Sequence, residues 1–530
     1  MKRWLRRVLA NRGSLLTTRK CWARLTRLAF LATAFVILSC CTTVSFDEPK
    51  FESSYITDTA QSELGGWSAQ WVDAHNGASG FYPLASGMDA LAARLGLAEK
   101  AQKSIDLQYF IMKGDTAGLA IFKSLLMAAD RGVRIRLLLD DIWTSASDRK
   151  LVLLNEHPNI EVRLFNPVSR RGFTWVNATF DFRRANRRMH NKSFSVDNAV
   201  SIIGGRNIGD EYFELNDSAV FVDFDVLAVG PIVSEISESF DDFWNHTHAI
   251  PIENVAKPLK KETLESFRAT SGPDLRLLYG GVYAGTTLSD LLQELLTGRH
   301  QLYPASARVI ADSPDKLSER VGPEHQLLLN ELRQLLLGAE RELLVVSPYY
   351  VPLENGIQFV QEAQSRGIEM TLVTNSLAST NHVAVHSGYS KYRRDLIRAG
   401  VQLYESRADA GRSIALENDS PEQLTLHTKL VIVDRRFLVV GSPNMDPRSF
   451  EINAEKGLII DSKALSQNVA ERIMELLPDA TYQVLENESG KLEWHGRIDG
   501  EKMIETSEPL ASRSRRLSAW FLKIVPDRQL

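Results

Sequence analysis

The sequence predicts an α/β fold of two similar lobes, each a mixed sheet flanked by helices, meeting as a pseudo-two-fold bilobal domain. Three observations carry this. Apolar runs with the period of strands alternate with runs of helical period. The order of those runs recurs once, about two hundred residues further on, a repeat too long for a solenoid. One spaced motif, His-x-Lys followed by Asp, stands in both halves in register.

The chain begins with a targeting segment. Nine Lys/Arg and no acidic residue fall between Lys2 and Arg27, ahead of the uncharged run Leu28–Ser39. That run is short of the ~20 apolar residues of a membrane span, so residues 1–41 read as an export signal. Ser39 directly before Cys40, after aliphatic residues, has the form of a lipoprotein processing site, with Cys40 as the lipid-bearing residue. An uncleaved anchor with its positive flank inside is the alternative. Either way the body is expected in a bacterial envelope, membrane-associated on the non-cytoplasmic side. Cys21, Cys40 and Cys41 are the three cysteines, so the body has no disulfide framework, thiol nucleophile or Cys-based metal site.

Residues 42–80 are polar and aperiodic, and are expected as a tether. Lobe 1 is expected over 81–246. There "MDALAARLGLAEKA" and "TAGLAIFKSLLMAADRG" have helical spacing, the second stopped by Gly132. "SIDLQYFI", "VRIRLLLDD" and "HPNIEVRLFNP" read as strands. Residues 247–304, with "AKPLKKE", "TSGPDL" and "YGGVYAG", form a connector carrying one helix, "LSDLLQELLTG". Lobe 2, over 305–500, repeats the order with "ERELLVVSPYYV", "GIQFVQEAQSRG", "IEMTLVTNS" and "RAGVQLYES". Residues 501–530 end the chain as a basic amphipathic segment. In it Leu517, Trp520, Phe521, Ile524 and Val525 follow helical spacing, accompanied by Arg513, Arg515, Arg516 and Lys523. Such a helix suits an interface with anionic lipid, or packs on lobe 2 as an ordinary terminal helix.

The chemistry sits in the repeated motif. His190, Lys192 and Asp197 are matched 237 residues later by His427, Lys429 and Asp434. At the same offset Gly204 matches Gly441, Asn207 matches Asn444, Glu214 matches Glu451 and Asn216 matches Asn453. Chance does not readily give two such sets in register. Both "HNKSFSVD" and "HTKLVIVD" read as strands, so each His and its Lys project from one face. The small-residue loops at Gly204-Gly205 and Gly441-Ser442 let an anion approach the backbone, and Asn207 and Asn444 can donate amide hydrogens to it. Two lysines and two asparagines clamp the non-bridging oxygens of a phosphodiester. One imidazole can attack phosphorus while the other protonates the leaving oxygen and then deprotonates the acceptor. Asp197 and Asp434 are expected to orient the imidazoles, with Glu214 and Glu451 as candidates for the same support. No metal and no cofactor are called for, because lysines supply the charge and histidine the nucleophile.

The doubled HxKxxxxD, each copy followed by Gly-Gly/Ser-x-Asn, resembles the phospholipase D superfamily signature. Further stretches, among them "IDLQYFI", "RGVRIRLLLDD", "GGRNIGDEYFE", "VSPYYVP" and "GYSKYRRDLIRAGVQLYE", resemble the bacterial C-type cardiolipin synthases. The resemblance covers about residues 81–480 and implies two phospholipase D-like lobes with the active site at their pseudo-two-fold interface. It also implies a phosphohistidine intermediate, with His190 as nucleophile and His427 as acid/base. The implied reaction moves a phosphatidyl group from phosphatidylglycerol to a second phospholipid headgroup, with phosphatidylethanolamine as another candidate lipid. Two other readings stay open: a hydrolase of lipid or, less favoured, nucleic-acid phosphodiesters, and a non-catalytic lipid-binding protein at a membrane. Gly205 departs from its counterpart Ser442, which removes one hydroxyl. Arg183, Arg184, Arg187 and Arg188 either contact headgroups or form a salt-bridged edge. His382 and His386, and Asp223 and Asp225, read as structural.

Overall fold

In the computed structural model the described residues are 44–529, without 48, 143, 145–147, 169, 171–180, 217, 257–262, 271–289, 319–325, 413–422 and 499. The export segment and Cys40 lie outside the described residues. No helix among the described residues is long and apolar enough to cross a membrane.

Lobe 1 contains β1 (Ser79–Leu84), β2 (Ser104–Tyr109), β3 (Arg134–Asp140), β4 (Ile160–Phe165), β5 (Ser193–Val196), β6 (Val200–Gly204), β7 (Val220–Val222), β8 (Asp225–Val229) and β9 (Ala249–Pro251). Lobe 2 contains β10 (Tyr303–Ala311), β11 (Glu342–Val346), β12 (Glu369–Asn375), β13 (Gln402–Ser406), β14 (Leu424–Leu426), β15 (Leu430–Val433), β16 (Phe437–Gly441), β17 (Lys456–Asp461), β18 (Thr481–Glu486), β19 (Leu492–Ile498) and β20 (Glu501–Glu505). The hydrogen-bonded order in lobe 1 is β1-β8-β6-β5-β2-β3-β4-β9. Lobe 2 repeats it as β10-β17-β16-β15-β11-β12-β13-β18, then adds the β19–β20 hairpin. In each lobe the three consecutive β-α-β strands are parallel and the rest antiparallel, so the sheets are mixed as expected. The repeat is therefore structural as well as sequential.

The two lobes share one sheet. β1 and β10 pair antiparallel, Ser79 opposite Ala305 and Phe81 opposite Tyr303, so the pseudo-two-fold runs between equivalent strands. One apolar core crosses that seam, with Phe81, Val226 and Ile232 from lobe 1 packed among Leu430, Leu438 and Leu458 from lobe 2. Full burial of such side chains stabilises by about 1.5–3 kcal/mol each, which binds the halves into one unit. Helices Gly87–Lys100 and Thr116–Asp130 carry the apolar faces expected of them, each started by a side-chain cap, from Ser86 and Asp115. Gly132 and Gly367 end the equivalent helices of the two lobes with φ of 95° and 78°.

Several expected boundaries differ. The segment expected as a tether is partly folded onto lobe 1: helix Glu63–Ala74 buries Leu64 in the lobe 1 core, and Arg136 donates to Ser53 O at 2.8 Å. Its polar composition conceals this because it docks through backbone groups and short apolar contacts. The connector is also packed, with Leu292 and Leu295 of helix Asp290–Leu296 in the same core. The boundary at 500/501 falls inside a hairpin, since Ile498 pairs with Glu501. The His-x-Lys stretches are not strands: β5 and β15 begin at Ser193 and Leu430, and each His and Lys stands in the extended segment just before.

Candidate active site

The topology delivers both motifs to one place. Ser193 pairs with Gln108 near the end of β2, and Leu430 pairs with Val346 at the end of β11. His190/Lys192 and His427/Lys429 thus emerge at the carboxyl ends of the parallel strands, where open α/β sheets bind ligands. From there the backbone crosses between lobes. His190 N donates to Ala454 O at 2.8 Å, and His427 N donates to Val222 O at 2.8 Å. β7 and β14 add a parallel two-stranded pairing between the lobes just before Asp223 and His427.

Each crossing places a carboxylate on the opposing imidazole. His190 Nδ1 donates to Glu455 Oε2 at 2.8 Å, and His427 Nδ1 donates to Asp223 Oδ2 at 2.5 Å. Nε2 is thereby left as the reacting nitrogen of each ring. Asp223 and Glu455 are equivalents: Gly205 N donates to Phe224 O and Ser442 N to Lys456 O, each acceptor being the residue after the acid. They stand 232 residues apart (455 less 223), not 237, because lobe 1 carries five more residues before β8. A fixed-offset comparison passes over them. Asp223, read from sequence as ordinary strand polarity, is thus corrected to a partner of His427, and Glu455 was missed.

The aspartates of the motif do something else. Asp197 accepts from the backbone N–H groups of Gln102, Lys103 and Ser104, and Asp434 from those of Glu340, Arg341 and Glu342. Neither orients an imidazole, contrary to expectation, because each lies at the far end of its strand from the His. Seven residues of extended chain span roughly 23 Å. Both open turns of two consecutive left-handed residues, Asp197-Asn198 at 52° and 45° and Asp434-Arg435 at 54° and 51°. Asp197→Ala should therefore lower unfolding stability by about 1–3 kcal/mol, the buried N–H of Ser104 being orphaned and the half-buried ones of Gln102 and Lys103 losing their acceptor. The folded fraction should keep its turnover, and chemical denaturation beside an activity assay checks both.

Lys192 Nζ donates to His190 O at 2.5 Å, and Lys429 Nζ lies 2.8 Å from His427 Nδ1 and 3.9 Å from Asp223 Oδ2. Burial pushes Lys192 down to about 7 and lowers Lys429. Burial and the neighbouring lysines hold His190 well below its ordinary value, and burial with Lys429 pushes His427 to about 3. The two carboxylates differ. Burial raises Glu455 to about 7. Burial also opposes ionisation of Asp223, yet Lys429 and His427 outweigh it and hold the group below the usual carboxylate range. Aromatic rings wall the pair: Phe110 meets His190 edge-on at 4.8 Å, Tyr212 meets His427 edge-on at 5.2 Å, and Phe221 stacks on His427 at 5.3 Å. These rings, unread in the sequence, exclude water and lower the local dielectric.

The remaining expected residues divide. Ser442 Oγ donates to Glu455 Oε2 and accepts from Lys456 N at 3.0 Å. Gly205 has no hydroxyl because a Cβ there would stand 2.1 Å from Asp223 Oδ1. The departure from Ser442 is thus a requirement of the shorter acid in lobe 1. Gly205→Ser should displace Asp223 and cut turnover by about 10²-fold or more, measurable against unchanged secondary structure. Gly204 and Gly441 are closely covered as well, a Cβ at Gly441 falling 2.4 Å from Gly457 Cα, so these glycines admit the neighbouring strand rather than an anion. Asn207 is committed to protein, accepting from Ile111 N at 3.1 Å and donating to Tyr212 Oη at 2.9 Å. Asn444 Oδ1 is buried without a partner. Glu214 accepts from Gly87 N at 2.7 Å at the start of a helix, and Glu451 ends helix Pro447–Glu451. Neither has a described bond to an imidazole.

Of the arginines beside the first motif, Arg188 is buried on Asp140 at 3.1 Å, Arg184 binds Asp181 at 2.6 Å, and Arg187 donates to Lys316 O across the lobes. Arg448, unread in the sequence, donates to Asn186 Oδ1 and O at 2.8 Å, tying lobe 2 to the segment before His190. Among the described residues one group, His386, Glu405 and Glu508, brings metal-type ligand atoms within 4.8 Å of one another. Arg393 already binds all three, at 3.1, 2.8 and 2.8 Å, so a cationic side chain holds that place.

Comparison with known proteins gives the family. The family described as "Cardiolipin synthase, PLD-like domain" matches residues 95–244 and 332–477, once in each lobe. The chain is 35% identical to cardiolipin synthase C of Escherichia coli over 455 residues, 85% of this chain and 96% of the relative. It is 26% identical to a cardiolipin synthase of Geobacillus kaustophilus over 70% of this chain and 61% of that one. The crystal structure of phosphatidylserine synthase from Haemophilus influenzae superposes with a TM-score of 0.54 at 14% identity, over 86% of this chain and 97% of that one, a likeness of fold. The chain belongs to the cardiolipin synthase family of phospholipase D-like proteins.

Proposed function

We propose that this protein is a phosphatidyltransferase that makes cardiolipin through a phosphohistidine, and that the crossed carboxylate–imidazole pairs are its working parts. The observation that carries the reading is the pairing itself: two His-Lys sets share one buried site, and each imidazole takes its carboxylate from the other lobe. His190 Nε2 attacks the phosphorus of phosphatidylglycerol, and the P–O bond to the glycerol headgroup breaks. His427 donates the proton that the departing glycerol oxygen takes up. The hydroxyl of a second phospholipid headgroup then gives a proton to His427 and attacks phosphorus, and the P–N bond breaks to free His190. Lys192 and Lys429 hold the phosphoryl oxygens throughout.

The asymmetry of the carboxylates supports this division of roles. An ionised Asp223 favours the imidazolium form of His427, as a proton donor requires. Glu455, shared with the Ser442 hydroxyl and raised toward neutrality, favours a neutral His190. The anionic substrate between the lysines raises both imidazole pKa values from those of the empty site. One pH effect follows. A Lys192 pushed down to about 7 is charged below that pH and neutral above it. The KM for phosphatidylglycerol should therefore climb as pH rises through about 7, and pH–rate profiles at limiting and saturating substrate check it.

Phosphatidylethanolamine as one of the two lipids, a location on the non-cytoplasmic side of a bacterial envelope and attachment through Cys40 belong to the same proposal. The test is to incubate the purified protein with phosphatidylglycerol vesicles in EDTA buffer and analyse the lipids. Cardiolipin and free glycerol in equal amounts are expected; phosphatidic acid as the main product would make it a hydrolase instead.

A further inference from the structure

The terminal helix Arg513–Leu522 packs with its apolar side outward. It touches lobe 2 through Arg515 and Ala519, one turn apart, of which Ala519 is buried with Leu377, and Leu522 on the same stripe is half-buried. The opposite stripe carries Leu517, Trp520 and Phe521 and continues to Ile524, exposed by 57, 64, 60 and 89%. An ordinary terminal helix buries its large apolar residues and turns its small and charged ones to water. Here Ala519 is the buried residue, and Leu517, Trp520 and Phe521 are the ones turned to water. The exposed rim is basic, with Arg513, Arg516 and Lys523, and no acidic residue occurs from Ala511 to Pro526.

The helix is also held firmly in that orientation. Arg515 Nε donates to Leu377 O at 2.6 Å, and its Nη2 donates to Thr380 O. Glu508 just before the helix binds Arg393 at 2.8 Å, and Asp527 just after it accepts from Lys391 Nζ at 2.5 Å and Tyr392 Oη at 2.8 Å. The carbonyls that Arg515 grips belong to the loop leaving β12. The last residue of β12, Asn375, donates to Leu426 O at 2.8 Å and accepts from Leu426 N at 3.0 Å, next to His427. A short chain of contacts thus runs from the exposed aromatic stripe to the catalytic imidazole, at the open end of the sheet.

We propose that this stripe is the surface by which the catalytic body docks on an anionic phospholipid bilayer, Trp520 and Phe521 entering the interface and the basic rim meeting lipid phosphates. Charge selects this occupant: apolar residues ringed by cations alone fit an anionic lipid surface, whereas a second copy would oppose like charges across the contact. The docking rests on the lipid-transfer reading above and extends it, since it links the membrane that holds both substrates to the β12 loop beside His427.

The test uses the full chain with vesicles of phosphatidylcholine alone or mixed equally with phosphatidylglycerol, each containing brominated phosphatidylcholine. Subtracting the emission of Trp520→Phe from that of the wild type isolates Trp520. Its emission should be quenched on the mixed vesicles and little affected on phosphatidylcholine. Equal emission on both, or a blue-shifted Trp520 in a lipid-free dimer seen by sedimentation, overturns the proposal. In a second arm, Trp520→Ser with Phe521→Ser should lower turnover of vesicle-borne phosphatidylglycerol, relative to monomeric short-chain phosphatidylglycerol, by at least about ten-fold; an unchanged ratio contradicts docking. If the wild type turns over neither substrate, the transferase reading fails, while quenching still reports the docking.

Discussion

His190→Ala and His427→Ala should each reduce cardiolipin formation by at least about 10⁴-fold. The two losses differ in kind. Without His190 no nitrogen reaches phosphorus, so no step begins, whatever the leaving group. Without His427 the nucleophile survives, and what is lost is proton transfer to the departing glycerol and from the incoming hydroxyl. A substrate that leaves unaided separates them. Phosphatidyl-p-nitrophenol should give a burst of one p-nitrophenolate per site with His427→Ala and none with His190→Ala. The lysines remain in both variants, so vesicle-independent binding of a short-chain phosphodiester should persist, as calorimetry would show.

The second large effect concerns the carboxylates. Glu455→Gln and Asp223→Asn should each lower turnover by about 10²–10⁴-fold with KM little changed. Each carboxylate accepts a hydrogen bond from an imidazole Nδ1, at 2.8 Å for Glu455 and 2.5 Å for Asp223. An amide can present an N–H there instead, which moves the imidazole proton to Nε2 and removes the lone pair the chemistry needs. In Glu455→Gln the affected ring is the nucleophile, so the p-nitrophenolate burst should disappear. In Asp223→Asn the burst should remain and only steady-state turnover fall. Thermal melts of both variants separate this from loss of fold, since both acids are fully buried in the lobe interface.

Which parts of this were legible in the sequence follows from what the repeat can and cannot show. The two lobes and the two His-Lys sets were legible, because a doubled spacing with Gly204/Gly441 and Asn207/Asn444 in register has no bland explanation. The carboxylates were not. Asp197 and Asp434 attract the role because they lie near the histidines along the chain, yet an extended strand carries them to its other end, where they bind backbone N–H groups. Asp223 and Glu455 hold the imidazoles from the opposite lobe, a pairing no local pattern encodes. The one trace of them is the likeness of "DFDVLAV" to "EKGLIID", hidden by the change of offset from 237 to 232. Glycines read as room for an anion prove to be room for a strand, and Gly205 room for Asp223. At the C-terminus the helical spacing of Leu517, Trp520 and Phe521 was plain, but which stripe faces the protein depends on Arg515 and its grip on the β12 loop.

The covalent step is the centre of the account, and rapid quenching reads it directly. The protein is mixed with phosphatidyl-p-nitrophenol labelled in the phosphate, stopped in alkali within one turnover, digested and mapped by mass spectrometry. The phosphatidyl label should sit on the peptide containing His190, in amount equal to the p-nitrophenolate burst, and should vanish when a lipid with a free headgroup hydroxyl is added before quenching. A label on the His427 peptide would reverse the assigned roles. A full burst with no labelled histidine would contradict the phosphohistidine altogether.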